Sequence, residues 1–239
     1  EQRLERPQGG SAHQAPPQGA GTLASESATI QPLPPSGRSP SHAVTATPDS
    51  TRPLVSIVIP TYNERGRLGD LVATLADTFV RQGIRGELVV VDDNSPDGTG
   101  AVADTLAAAY PGRLHVMHRT GERGLGLSYL DGFRWALATD ADLICQMDAD
   151  LSHDPRYLPD LVAAAADHDI VLGSRYLNGV SVVNWPLRRI ILSSFANAYV
   201  RTITGLTTRD STSGYRCWRR AALERLDLAR FLSHRYAFM

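Results

Sequence analysis

From Leu54 to Ser174 the chain alternates short apolar runs with segments of helical period, and that alternation restricts it to one class of fold. Leu54-Val55-Ser56-Ile57-Val58-Ile59 reads as a buried strand ended by Pro60. Beyond Asn63-Glu64, apolar residues fall at Leu68, Leu71, Val72, Leu75 and Phe79, which is one face of a helix. Glu87 to Val91 is a second strand, stopped by Asp92-Asp93-Asn94-Ser95-Pro96-Asp97-Gly98, and Thr99 to about Tyr110 is a second helix. Leu114 to Met117 is a third strand, followed by a helix from about Leu127 to Ala138. Asp142 to Met147 is a fourth strand, and a helix bearing Leu158, Leu161, Val162 and Ala165 leads to a fifth strand, Ile170 to Ser174. Strands and helices in this order form βαβ units, so the expectation is α/β: a Rossmann-like, mostly parallel sheet with helices on both faces.

Ahead of this pattern, residues 1–52 are rich in Pro, Ser, Gly, Gln and Thr and show neither period. Such a composition cannot bury enough apolar surface to offset chain entropy, so a disordered tail or linker is expected before one folded domain over 53–239. The formal net charge of −1 points to no nucleic-acid partner. All 24 basic side chains are Arg. With no Lys, a Schiff-base lysine, a phosphate-loop lysine and a Ser–Lys dyad are excluded. Cys145 and Cys217 are too few for a disulfide framework and too far apart in sequence for a zinc pair. No run approaches the roughly 20 apolar residues of a membrane span. The chain begins at Glu1 and closes on the apolar Tyr236-Ala237-Phe238-Met239, which suggests a fragment truncated at its C-terminus.

In an open sheet of this kind ligands bind outside the carboxyl ends of the strands. Polar clusters stand at those ends: Thr61-Tyr62-Asn63-Glu64 after the first strand, Asp92-Asp93 after the second, Asp148-Ala149-Asp150 after the fourth and Arg175 after the fifth. Asp148 and Asp150 carry the sharpest chemistry. Two carboxylates one residue apart present hard oxygens to one cation, and Mg²⁺ or Mn²⁺ accepts carboxylate and diphosphate oxygens together. A cation held there would neutralise charge on a departing diphosphate. Solvated turns also contain such pairs, but the apolar run from Leu143 to Met147 and the following His153-Asp154 favour the metal. Asp92 and Asp93 suit hydrogen bonds from a nucleobase or ribose, whereas Asp97-Gly98-Thr99 reads as turn and cap chemistry.

Other segments leave two readings open. Tyr62 suits stacking on a base and Glu64 suits accepting from it, yet a helix N-terminus capped by Thr61 or Asn63 fits the same residues. Gly121-Glu122-Arg123-Gly124-Leu125-Gly126 lacks the G-x-G-x-x-G order, so a dinucleotide fingerprint is unsupported, although Arg123 could touch a phosphate. Arg175 suits a grip on diphosphate or acceptor. The segment opened by Asn184-Trp185-Pro186-Leu187-Arg188-Arg189 reads either as a core helix or as one lying on a membrane, with Trp185, Arg188 and Arg189 at the headgroups. To Asp210-Ser211-Thr212-Ser213-Gly214-Tyr215-Arg216 spacing assigns no role. No G-x-S-x-G element is present, and the seven His form no ligand pattern.

Taken together the motifs resemble family 2 glycosyltransferases, and within them the polyprenol-phosphate (dolichol-phosphate) mannosyltransferases. The resemblance spans roughly Pro53 to the end. It rests on Val58-Ile59-Pro60-Thr61-Tyr62-Asn63-Glu64, Val91-Asp92-Asp93-Asn94-Ser95-Pro96-Asp97-Gly98-Thr99, Gly124-Leu125-Gly126, Met147-Asp148-Ala149-Asp150-Leu151-Ser152-His153, Gly173-Ser174-Arg175-Tyr176 and Ser213-Gly214-Tyr215-Arg216. It implies a catalytic domain of GT-A type and inverting transfer of mannose from GDP-mannose to a polyprenyl phosphate. By resemblance, Pro60, Tyr62, Glu64, Val91 and Asp93, with Asp92 beside them, hold the nucleoside. Asp148, Ala149 and Asp150 hold the diphosphate through Mg²⁺ or Mn²⁺, Arg175 stabilises it, and Ser152 stands where some relatives place a further metal ligand. A lipid acceptor implies work at a membrane surface, peripherally at the cytoplasmic face, with a missing or separate anchoring segment or subunit. The alternatives are transfer of glucose or another sugar to the same acceptor, and a non-catalytic nucleotide-binding module. A sugar-nucleotide pyrophosphorylase would need a Gly-rich loop and a Lys that this chain lacks.

Overall fold

The computed structural model describes residues 51–174, 202–203, 205, 210, 213–228 and 230. Six strands form one sheet: β1 (Leu54–Thr61), β2 (Arg85–Asp92), β3 (Leu114–His118), β4 (Leu143–Gln146), β5 (Ile170–Leu172) and β6 (Arg216–Arg219), in the order β3-β2-β1-β4-β6-β5. β1 pairs parallel with β2 and β4, and β2 with β3, while β6 runs antiparallel to both β4 and β5. The expected mostly parallel sheet is present, with one antiparallel strand that the sequence pattern did not disclose.

The helices are α1 (Leu68–Gln82), α2 (Thr99–Ala109), α3 (Leu125–Leu137), α4 (Leu158–Ala164) and α5 (Arg220–Glu224), with a short 3₁₀ turn at Pro155–Tyr157. Alternation along β1 divides the core. Val55, Ile57 and Ile59 pack with Leu68, Leu71, Leu75 and Phe79 of α1, Ala103 of α2 and Leu158 and Leu161 of α4. Val58 turns to the other face, against Tyr129 and Phe133 of α3 and Leu223 of α5. α3 lies close to the sheet because residue 132 is Gly: a Cβ there would stand 2.2 Å from Val58 Cγ1.

Pro60 does not end β1, which continues to Thr61 in register with Asp92. The reason lies in the neighbouring strand. Residues 56, 58 and 60 address β4, but pairing with β4 stops at Val58–Gln146, so Pro60 lacks an N–H only where no partner strand remains. The strand order also creates a switch point. From β1 the chain winds outward through β2 and β3, then returns to β4 on the other side. The cleft that such a reversal opens lies at the carboxyl ends of β1 and β4.

Residues 1–50 fall outside the described residues, as do Arg175, Trp185, Arg188 and Arg189. Among the described residues no helix is long and apolar enough to cross a membrane.

Candidate active site

Three loops at the carboxyl edge are sewn together by side chains of the Asp-Asn-Ser-Pro-Asp-Gly-Thr run. Successive backbone N–H groups after β1 donate to it: Asn63 to Ser95 Oγ at 3.1 Å, Glu64 to Thr99 Oγ1 at 3.0 Å and Arg65 to an Asp97 carboxylate oxygen at 3.3 Å. Asp97 also accepts from the Thr99 N–H and hydroxyl, at 3.0 and 2.6 Å. The Thr99 hydroxyl is the main cause that holds the Asp97 carboxyl below its ordinary value. Neither Thr61 nor Asn63 caps α1: that helix starts at Leu68 after an Arg67 that makes no side-chain cap. The cap expected at Thr61 or Asn63 is therefore absent, while Glu64 stands at the helix start, its carbonyl accepting from the Arg67 and Leu68 N–H groups, both at 3.0 Å.

Tyr62 stands at the surface, 45% exposed, at the lip of the switch point. The Arg123 guanidinium lies 5.0 Å from its ring centre and donates to Tyr62 Oη and to the Asn94 carbonyl, at 3.2 and 2.9 Å. Arg123 thus ties the β3–α3 loop to the other two. Glu64 is half-buried and pairs with Arg67 at 3.2 Å, and Pro60 and Val91 are buried neighbours in the β1–β2 register.

Asp92 and Asp93 alternate across the sheet and part company. Asp92 is buried on the α2 side, where its carboxylate accepts from Ser95 N–H at 3.4 Å and lies 3.8 Å from His118 Nδ1. Asp93 is buried on the α3 side, in contact with Arg119 and accepting from the Gly124 N–H at 2.7 Å, where α3 begins. Arg119 donates onward to Asp131 at 2.8 Å, Ser128 at 3.3 Å and the Glu122 carbonyl at 3.0 Å. Sequence reasoning missed Arg119. The signal was present, because Arg119 follows a strand end as the acidic clusters do.

The Asp148–Asp154 loop faces these residues across the switch point. Asp148 Oδ1 accepts from the Tyr129 hydroxyl at 2.7 Å, and the Asp148 N–H donates to His153 Nδ1 at 3.0 Å. Accepting there places the proton of neutral His153 on Nε2, which lies 3.9 Å from Asp148 Oδ2. Burial, then the Asp148 carboxylate, holds the Tyr129 phenol well above its ordinary value, so it donates as a neutral hydroxyl. Ala149 is buried, and exposed Asp150 accepts from Ser152 N–H at 3.0 Å. Desolvation pushes the Asp150 carboxyl up, but the Ser152 hydroxyl and N–H, with His153 and Arg67, outweigh it and hold the group below its ordinary value.

Ser213-Gly214-Tyr215 completes the loop's setting, a role its spacing did not reveal. Ser213 Oγ donates to the Gly173 carbonyl at 2.6 Å, the Tyr215 ring stacks on His153 at 5.3 Å, and a Cβ on Gly214 would lie 3.1 Å from Asp148 Oδ2. A side chain there would press on that oxygen and, at 3.0 Å, on His153 Cε1.

No group of three or more His, Cys, Asp or Glu among the described residues forms a metal cluster. Two carboxylates nevertheless suffice for Mg²⁺ or Mn²⁺ when diphosphate and water complete the shell. The ionised Asp150 and the partly exposed Asp148 side chain fit that demand. A cavity of about 200 Å³ lies elsewhere, at the amino edge among Pro53, Val55, Ile84 and Val162. It has no converging carboxylates, so the polar edge carries the assignment.

A family model, glycosyl transferase family 2, matches residues 56–227. The chain belongs to this family. It is therefore a glycosyltransferase, and the mostly parallel sheet with helices on both faces is the GT-A type of fold. It is 47% identical over 183 residues to a polyprenol monophosphomannose synthase from Mycolicibacterium smegmatis, covering 76% of this chain and 68% of that protein. An undecaprenyl-phosphate mannosyltransferase from Micrococcus luteus is 44% identical over 184 residues, covering 77% and 74%. A dolichol-phosphate mannosyltransferase from Pyrococcus furiosus is 38% identical, and the chain spans 48% of its length. Among solved structures, a mannosyltransferase from Pyrobaculum calidifontis in complex with GDP-mannose and Mn²⁺ superposes with a TM-score of 0.53 at 23% identity, covering 75% of this chain and 48% of that one. A glucosyl-3-phosphoglycerate synthase from Mycobacterium tuberculosis, solved with Mn²⁺ and UDP, gives 0.52 at 17% identity, covering 73% and 59%. At those identities the structural likeness shows the fold alone.

Proposed function

We propose that the chain transfers mannose from GDP-mannose to a polyprenyl phosphate with inversion at the sugar C1. The observation that supports this most is the likeness, at 38–47% identity, to three enzymes named for mannose transfer to such phosphates. The switch-point geometry agrees with it: an open acidic pair faces a loop bearing an exposed Tyr, as a diphosphate next to a nucleoside requires.

In this reading Tyr62 flanks the base, Asp93 and its neighbours shape the floor beneath the nucleoside, and Asp148 and Asp150 hold Mg²⁺ or Mn²⁺ against the diphosphate. When bound, the cation supplies Lewis-acid neutralisation of the leaving GDP. The nucleophile is an acceptor phosphate oxygen. A phosphomonoester has a second pKa of about 6, so that oxygen is already anionic near neutrality and needs no base to remove a proton. It forms the new bond to C1 as the bond from C1 to the diphosphate oxygen breaks, and GDP leaves with the electron pair. The protein's own part is alignment: sewn loops fix the donor end, and the open edge admits the acceptor. Arg175, which lies outside the described residues, is proposed to meet the diphosphate. Trp185, Arg188 and Arg189, also outside them, are proposed to meet the membrane at its cytoplasmic face.

The test is incubation of the chain with radiolabelled GDP-mannose, Mn²⁺ or Mg²⁺ and a polyprenyl phosphate, followed by organic extraction. Label in the organic phase, abolished by EDTA, is expected. Label transferred from UDP-glucose but not from GDP-mannose would overturn the donor, and none from either would overturn the transferase reading of this chain.

A further inference from the structure

Tyr129 is a wholly buried residue of α3, with its ring 5.9 Å from that of Phe133 one turn on. Its hydroxyl reaches a partner on another element. It donates at 2.7 Å to Oδ1 of Asp148, a residue from the far side of the switch point. α3 itself is held tightly to β1 through the contact of Gly132 with Val58, so the phenol is a rigid post.

Asp148 needs such a post. It lies one residue past the last buried position of its apolar run, with its side chain about a quarter exposed, and its backbone is fixed by the N–H bond to His153 Nδ1. That bond leaves the carboxylate free to turn about its own side-chain torsions. The phenol removes this freedom and engages one oxygen. Oδ2 is left beside Gly214, where a Cβ would crowd it at 3.1 Å.

We propose that Tyr129 is a positioning residue for the cation-binding carboxylate: its hydroxyl holds Asp148 Oδ1 so that Oδ2 is presented to the divalent cation. This rests on the metal-site reading above. Hydrogen-bond partners of ligating carboxylates set ligand orientation, and their removal costs about 10- to 100-fold in metal affinity. Tyr129→Phe deletes the hydroxyl and keeps the ring packing.

The experiment is a Mn²⁺ titration of the full chain with GDP present, followed by the electron paramagnetic resonance signal of free Mn²⁺. Wild type, Tyr129→Phe and Asp150→Asn are compared. GDP affinity in EDTA and the thermal midpoint are measured alongside, because a merely structural role for Tyr129 would move those instead. The expected result is Mn²⁺ binding weakened about tenfold or more in Tyr129→Phe, with GDP affinity in EDTA and the midpoint unchanged. Wild-type Mn²⁺ affinity in Tyr129→Phe, with Asp150→Asn impaired, overturns the positioning role and leaves the metal site standing. A parallel fall in EDTA-state GDP affinity and thermal midpoint also overturns it. A wild-type chain that takes up no Mn²⁺ overturns the metal site, and the positioning role with it.

Discussion

The β2–α2 loop and the β4–α4 loop both begin with two carboxylates at a strand end, but the protein surrounds them differently. Asp92 and Asp93 are 4% and 6% exposed, and Asp93 is engaged by Arg119 and by the start of α3. Asp148 is about a quarter exposed and Asp150 is exposed; the Tyr129 phenol holds the first carboxylate, and the Ser152 hydroxyl and N–H hold the second. Charge in the first loop is buried and paired within the fold, whereas Asp150 in the second stands exposed. In the function proposed above, similar acidic sequences serve as a floor in one place and as a ligand site in the other.

The largest expected effect breaks the second half of that comparison. Asp150→Asn removes an exposed charge with a single hydrogen-bonded neighbour, so unfolding free energy should stay within about 0.5 kcal/mol of wild type. Transfer to polyprenyl phosphate should fall by about 10³-fold, because Lewis-acid neutralisation of the leaving group contributes several kcal/mol. Equal transfer rates in the extraction assay would remove the distinction between the loops. Next comes Arg119→Met. It strands the buried Asp93 carboxylate, and breaking a buried pair from one side costs about 3–5 kcal/mol. Urea denaturation should show that loss directly. A variant with wild-type stability but no donor binding would instead make Asp93 a ligand site like Asp150.

A smaller effect belongs to the sewing between loops. Thr99→Val deletes the hydroxyl that accepts from Glu64 N–H and donates to Asp97, at a cost of about 1–2 kcal/mol in urea denaturation near neutral pH. The gap between wild type and variant should narrow in acid, leaving the part that comes from Glu64 N–H. Asp97 is held below its ordinary value of 3.8, with Thr99 the first cause. A depressed carboxyl contributes stability that is present above the unfolded value and is lost as the pH falls through the folded one. A gap unchanged at pH 2 would show that the Thr99 hydroxyl acts through Glu64 alone.

What the sequence disclosed follows the same division between local and assembled features. The runs Leu54 to Ile59 and Glu87 to Val91 were legible because strands buried on both faces must be almost wholly apolar. The face Leu68, Leu71, Val72, Leu75 and Phe79 was legible because helical period is local, and all five side chains are buried. Asp148 and Asp150 stood out because an acid directly after an apolar strand is conspicuous. β6 did not, since Arg216-Cys217-Trp218-Arg219 is a short strand with charged ends, joined to β4 and β5 by long-range antiparallel pairing. Tyr129 reads as one more core aromatic beside Phe133, and only folding brings its hydroxyl to a residue 19 positions away.

The smallest predicted effect concerns the backbone of the two loops. Each contains a residue in the left-handed region: Asn94 with φ 56° in the first and Leu151 with φ 64° in the second. Asn adopts this region readily, whereas a branched apolar side chain crowds the following carbonyl at a cost of roughly 1–2 kcal/mol. Leu151 is 47% exposed, so little burial offsets that strain. The turn it makes brings the Ser152 N–H back onto Asp150. Leu151→Asn keeps the turn and relieves the strain, so stability to urea should rise by about 0.5–1 kcal/mol with transfer retained. A gain accompanied by lost transfer would show that the Leu151 side chain itself serves the acceptor edge. No gain would show that strain is absent from this loop, and the two acidic loops would then differ in their partners alone.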